Sequence, residues 1–95
     1  MLVIWRAVGQ SVRIGGGVLT VEAVRPRVQL RYTDASHDQQ FSLRRSRGGR
    51  IIPAGCRVVV LDSSLTEVRL GLDAPDDVHI TRTELMPPDE EGPVD

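Results

Sequence analysis

The chain has 95 residues, a formal net charge of −1 and a single cysteine, so one small domain without an intrachain disulfide is expected. No stretch approaches the roughly 20 apolar residues that cross a membrane, and the apolar run before Arg6 is too short for a signal peptide. The expected compartment is therefore the cytoplasm. The chain contains no lysine, and its arginines are concentrated in residues 1–61, which carry a net charge of +7 against −8 for residues 62–95. A basic body of this kind favours a polyanionic partner.

Alternation of apolar and polar residues predicts a β-rich fold, because no segment has a convincing 3.6-residue period. Glycine, proline and aspartate between the alternating segments are typical of turns. After Arg82 a single helical turn is expected to stop at Pro87, and residues 87–95 are expected to be a disordered acidic tail. In chain order, the strands are predicted at residues 2–7, 11–14, 18–24, 28–32, 40–45, 51–52, 57–61, 68–72 and 78–82.

The first and last predicted strands each end an apolar face with an arginine. Ile4 and Arg6 lie on one face of the first strand, and Val78, Ile80 and Arg82 lie on one face of the last. Arginine is rarely fully buried unless it is paired, so this pattern indicates a rim where an apolar face meets a charged ligand. Guanidinium groups bind phosphates and guanine edges, and aliphatic side chains pack on bases. Together the two strands predict a nucleic-acid-binding surface.

An internal repeat is visible when the sequence is compared with itself at an offset of 39 residues. Ile4 then aligns with Leu43 and Arg6 with Arg45, and the glycines that follow these strands align as well. With one further residue of slippage, the fourth predicted strand aligns with the strand at residues 68–72. The glycine register favours a duplication over chance similarity between strands.

The repeat suggests how the chain is organised. A β domain is expected over residues 1–86, with copy one at about 1–39 and copy two at about 40–85, followed by the tail at 87–95. Residues 40–45 would serve both as the last strand of the first copy and as the first strand of the second.

The two ends of the chain resemble the carbon storage regulator (CsrA) family of bacterial post-transcriptional RNA-binding proteins. The resemblance is carried by the opening Met1-Leu2, by Arg6 with the following Val-Gly pair, and by the strand, Ala-Pro turn and arginine-ended strand of residues 68–85. It implies an all-β fold of interlocked antiparallel strands, in which the first strand of one copy lies beside the last strand of the other. Since family chains are about half as long, a monomeric pseudo-dimer is expected here, with a homodimer as the alternative.

The resemblance also implies a function, namely translational regulation by binding of a GGA element in an RNA hairpin loop. The RNA-binding residues it implies are Ile4, Arg6, Ala74, Pro75, Val78, Ile80 and Arg82. A second, degenerate site is expected at Leu43, Arg44 and Arg45. The alternative function is a degenerate CsrA-like module that binds another protein and no RNA.

Other function classes have little support in the sequence. His37 and His79 have no carboxylate or cysteine at ligand spacing, so neither a metal site, a cofactor nor an enzymatic function is expected. Cys56 precedes an apolar strand and is expected to be a small buried hydrophobic residue. Trp5 faces away from Arg6 and is expected to pack between sheets rather than to stack on a base.

Overall fold

The computed structural model describes residues 1–45 and 48–82, which form nine β-strands and no helix. The prediction of an all-β fold is confirmed, and each predicted strand end lies within two residues of an observed one. The helical turn expected after Arg82 and the tail at residues 87–95 lie outside the described residues. The strands are β1 (Leu2–Ala7), β2 (Ser11–Ile14), β3 (Gly17–Ala23), β4 (Val28–Thr33), β5 (Asp38–Leu43), β6 (Arg50–Ile51), β7 (Arg57–Ser63), β8 (Glu67–Asp73) and β9 (Ile80–Arg82).

Strand β4 shows why alternation located these elements. Val28, Leu30 and Tyr32 are buried, whereas the intervening Gln29 and Arg31 are half-buried. Successive side chains of a strand point to opposite faces, so one face of β4 enters the core while the other faces outwards.

The strands form two antiparallel sheets that draw on both halves of the chain. The four-stranded sheet has the order β1-β8-β7-β6, and the five-stranded sheet has the order β5-β4-β3-β2-β9. The first strand therefore borders a sheet made of later strands, and β5 and β9 flank a sheet made of earlier ones. Strands β1 and β9 belong to different sheets and do not pair, so the expected position of the first strand beside the last is wrong within this chain.

The buried residues of both sheets form one apolar cluster. Burial of each large aliphatic side chain contributes about 1.5–3 kcal/mol, so this shared cluster is the main force that holds the sheets together. Cys56 is fully buried within it, which confirms its expected packing role, and burial raises the pKa of its thiol. The cluster includes Ile4, Val12, Ile14, Leu19, Val21, Leu30, Tyr32, Phe41, Ile52, Val58, Val60, Val68, Leu70 and Leu72.

The pairing of β3 with β4 closely matches that of β7 with β8. Val21 pairs with Leu30 in one sheet, and Val60 pairs with Leu70 in the other. In both pairs the register shifts directly after the valine, which is the mark of a β-bulge. The offset from β3 to β7 is 39 residues and that from β4 to β8 is 40 residues, as the sequence comparison predicted.

The same comparison was wrong for the outer strands. It aligned Ile4 with Leu43, but Ile4 pairs with Leu70 whereas Phe41 pairs with Leu30. Since Leu30 and Leu70 occupy matching places in β4 and β8, Phe41 is the residue that corresponds to Ile4.

The two-residue difference also changes the counterpart of Arg6. Arg6 pairs with Val68, and the matching Val28 pairs with Leu43. Leu43 therefore stands where Arg6 stands, and Arg45 lies beyond the end of β5. The two arginines aligned because they share a residue type, although they hold different places in the fold.

Candidate nucleic-acid interface

The face of β1 that carries Ile4 and Arg6 points into the protein. Both side chains are only 4% exposed. Nη1 of Arg6 donates a hydrogen bond to the backbone oxygen of Trp5 at 2.7 Å. The sequence predicted correctly that Ile4 and Arg6 share a face, but it did not predict that this face lies against the core.

The second candidate segment contains a turn followed by a short strand. Pro75 is exposed, whereas Ala74, Val78 and Ile80 are half-buried and pack against the core. The backbone N–H of Val78 donates to the oxygen of Pro75 at 3.0 Å, which closes the turn. Strand β9 starts at residue 80, so the predicted start at Val78 was two residues early and Val78 belongs to the turn.

Strands β1 and β9 both run towards the turn at residues 8–10. Arg6 lies just before this turn, and the backbone of Arg82 pairs with Val12 just after it. Gly9 has φ of 90°, a conformation that glycine adopts without strain, and its N–H donates to the oxygen of Val21 at 2.8 Å. The structure describes the backbone of Arg82 and not its side chain.

The residues of the expected second site lie at the end of β5. Leu43 is half-buried and packs against the core, whereas Arg44 and Arg45 are exposed. Arg45 forms a parallel backbone bridge with Val60 of β7, which attaches the end of β5 to the other sheet.

Two further arginines, which the sequence analysis assigned to no site, join this group. Arg25 and Arg27 flank Pro26 in the connection between β3 and β4, and both are exposed. A groove of about 380 Å³ separates this connection from the ends of β5 and β7. We call it the arginine groove, defined by Arg25, Arg27, Arg44, Arg45, Val60 and Ser63. An Arg-Pro-Arg turn within the basic residues 1–61 was the available signal in the sequence.

The charges around the arginine groove differ from those around Arg31, on the outward face of β4. There, Arg31 contacts Glu22 at 2.8 Å and Asp38 at 2.6 Å. The hydrogen bond from Arg31, supported by one from Gln40, lowers the pKa of Glu22. Within residues 1–45 and 48–82, none of the four groove arginines forms a salt bridge. Positive charge is therefore balanced at Arg31 and unbalanced at the groove.

Trp5 does not pack between the sheets, so that prediction was wrong. Its side chain is 43% exposed, and its partner across the sheet is the exposed Arg69. The physical reason is that the opposite face of β1, with Ile4 and Arg6, enters the core, and alternation then directs Trp5 outwards.

The histidines and acids of the described region form no cluster of three that could hold a metal ion. His37 instead contacts the carboxylate of Asp34, with its Nδ1 at 3.0 Å from Oδ1. No helix in residues 1–45 and 48–82 is long and apolar enough to cross a membrane.

Comparison with known proteins gives one match. The protein-family model described as "CsrA: Global regulator protein family" matches residues 42–90, just over half of the chain. No curated protein and no solved structure matched. The matched range begins near the end of β5 and includes β6 to β9, which contain the Ala-Pro turn and the arginine-ended strand. With the all-β antiparallel fold, this match shows that the chain belongs to the CsrA family of global regulators, which are RNA-binding post-transcriptional regulators and not enzymes.

Proposed function

We propose that this chain regulates translation by binding GGA elements in RNA hairpin loops, and that it does so as a monomer. The observation that carries the proposal is that β1 and β9, from opposite ends of the sequence, both run to the turn at residues 8–10. This arrangement supports a single binding edge formed by Ile4 and Arg6 together with residues 74–82.

The chemistry of this edge suits an unpaired RNA loop. Loop bases are unstacked and expose their edges, which arginine recognises through paired hydrogen bonds. Arg6 and Arg82 are the proposed base-directed groups, with Val78 and Ile80 as the apolar surface for a base. The exposed Pro75 and its neighbour Ala74 would contact the loop from the turn.

Strand pairing within the chain supports the monomeric form. Strand β1 pairs with β8, and β9 pairs with β2, so the first and last strands of the described chain each extend a sheet built from the other part of the chain. In the homodimer implied by the resemblance, such an exchange occurs between two chains. A chain that contains both exchanges has no need of a partner copy, and we expect a mass near 10.5 kDa in solution.

The first experiment is titration of a labelled hairpin with GGA in its loop, combined with sedimentation. Arg6→Ala and Arg82→Ala are each expected to weaken binding by about 1–3 kcal/mol, the range for a good base-directed contact. Arg45→Ala should cost much less, because Arg45 lies beyond the end of its strand. Arg69→Ala removes the same charge from the exposed face beside Trp5 and serves as the control.

Each outcome has a distinct meaning. Wild-type affinity in folded Arg6→Ala and Arg82→Ala variants would exclude the proposed edge. A dimer that carries two hairpins would exclude the monomeric form while leaving RNA binding intact. Equal binding of a hairpin without GGA would exclude the sequence specificity.

The protein-interaction alternative has one observation in its favour. Val3, Trp5 and Ile51 are exposed, at 39%, 43% and 59%, while Arg6 is buried. Exposed apolar side chains of this kind are common at protein interfaces. Failure of the wild-type protein to bind any GGA hairpin at low salt would favour this alternative.

A further inference from the structure

We infer that the arginine groove is a second RNA-binding element, which holds the phosphate backbone of the strand that flanks the recognised loop. This inference rests on the proposed function, because it adds a backbone contact to the same RNA molecule. It assigns to Arg25 and Arg27 a role that neither the sequence pattern nor the family resemblance gave them.

The charge of the groove favours a phosphate-bearing ligand. Arg25 and Arg27 approach from one connection, and Arg44 and Arg45 approach from the end of β5. No acidic side chain lines the groove in the described part of the chain, and the four guanidinium groups form no salt bridge there. Arginine presents a planar set of donors that matches phosphate oxygens, so four of them around one groove form a strong anion-binding subsite.

The groove is built on rigid parts of the fold. Val24 and Val28, at the two ends of the β3–β4 connection, are buried and hold the arginine turn against the core. Leu43 packs on the same core, and the bridge between Arg45 and Val60 attaches the opposite wall. The arginine side chains are therefore presented from ordered backbone, which reduces the entropy lost when a ligand binds.

The groove lies at the same end of the protein as Arg6. Arg6 pairs with Val68, and Val68 pairs with Ser63, which lines the groove. Two strand spacings therefore separate the backbones of Arg6 and Ser63, a distance of about 10 Å. A short length of one RNA strand can cover this distance, so a loop bound at Arg6 would direct its flanking strand across the groove.

The matching connection in the other half of the chain lacks this charge. Between β7 and β8, Ser64, Leu65 and Thr66 lead to Glu67, whereas Arg25 and Arg27 occupy the β3–β4 connection. The described residues thus contain one arginine groove, on one side of the proposed loop site. We expect the flanking strand to be held on that side alone.

The test uses two groove variants of the full-length protein and a control matched in charge. Arg25→Gln/Arg27→Gln and Arg44→Gln/Arg45→Gln each remove two positive charges from the groove. Arg13→Gln/Arg69→Gln removes two from exposed positions on β2 and β8. Two labelled RNAs that share the GGA element are compared, one the full hairpin and one a short oligonucleotide without the flanking strand, together with a single-stranded homopolymer that lacks GGA.

Both groove variants are expected to bind the full hairpin about tenfold more weakly than the wild-type protein, on the order of two lost phosphate contacts. The slope of log affinity against log salt for this hairpin should become shallower by about 1 to 2 units. Affinity for the short oligonucleotide should stay near the wild-type value, and the control variant should behave alike on both RNAs.

The outcomes separate this inference from the proposed function. Groove variants that match the control on the full hairpin would overturn the groove and leave the GGA site standing. Loss of GGA preference together with homopolymer binding that depends on the groove arginines would overturn the proposed function and support the groove. Absence of binding to all three RNAs would overturn both.

Discussion

Strands β1 and β5 border the two sheets, and their burial differs although their pairing matches. Each pairs with its neighbour over six residues, β1 with β8 and β5 with β4. On β1 the inward face carries Ile4 and then Arg6, both 4% exposed. On β5 the same positions hold Phe41, which is 6% exposed, and Leu43, which is half-buried.

The difference shows that the place of an arginine relative to the end of its strand decides what the arginine can do. Arg6 lies inside β1, so alternation directs its guanidinium to the core side, where desolvation of a charge is costly. Arg45 follows the end of β5, where alternation no longer applies, and it is exposed beside Arg44. One border of the fold therefore holds a buried arginine, and the other holds an exposed arginine group at a groove.

The largest effect is expected from two core substitutions, which test whether β1 and β5 depend on one shared core. Leu70 and Leu30 are fully buried and lie opposite Ile4 and Phe41. Leu70→Ala and Leu30→Ala are each expected to lower the free energy of unfolding by about 2–5 kcal/mol, because each leaves a cavity in the shared cluster. Urea denaturation is followed by circular dichroism and by the fluorescence of Trp5, the only tryptophan.

Coincident transitions from the two signals are the expected result, since Trp5 reports on β1 while circular dichroism reports on both sheets. Separate transitions would contradict the shared core. Such a result would mean that β1 and β5 border independently stable units.

A smaller effect is expected at the start of β3, where the halves of the chain fill the core differently. A methyl group at Gly17 would overlap the buried ring of Tyr32. The other half of the chain has Cys56 at the matching place, directly before β7. Gly17→Ala should lower stability by about 1–3 kcal/mol through overpacking. Gly16→Ala is the matched control, because a methyl group there meets no atom within 4 Å and should change stability by less than about 1 kcal/mol. Equal stability of the two variants in thermal denaturation would contradict the packing of Tyr32 against Gly17.

The smallest effect concerns Tyr32 and Asp34, a pH-sensitive pair. The other half of the chain has no such pair, since Leu72 of β8 occupies the place that Tyr32 occupies in β4. The Tyr32 hydroxyl donates to Asp34 at 2.9 Å. Burial, supported by that hydrogen bond, raises the pKa of Tyr32 to about 12. The folded state favours the neutral phenol, so this stabilisation is complete below the unfolded pKa of about 10 and is lost as the pH rises through about 12.

Absorbance titration can follow this group directly, because Tyr32 is the only tyrosine. Asp34→Asn should lower the pKa of Tyr32, yet leave it above about 10, because burial is the larger cause of the shift. Asp38→Asn, which removes a contact of Arg31 instead, should leave the titration unchanged. A midpoint near 10 in the folded wild-type protein would contradict the burial of the hydroxyl.

Several features of the candidate sites were predictable because they depend on local patterns. The shared face of Ile4 and Arg6 follows from alternation, and the turn before Ile80 follows from Pro75 and its acidic neighbours. The arginine groove was not predictable in this way. It joins a turn at residues 25–27 to residues 43–45, and their approach depends on the pairing of β4 with β5 and on the bridge to β7.

The sequence by itself determined the all-β class, the positions of the strands and the resemblance to the CsrA family. Each of these depends on side-chain period, turn residues and short motifs, which are local properties of the chain. The tertiary structure alone decided that β1 and β9 border different sheets, that Arg6 faces the core and that Trp5 faces outwards. The physical reason is that alternation defines two faces of a strand, whereas the choice of the inner face and of the neighbouring strands comes from long-range burial of the shared apolar cluster.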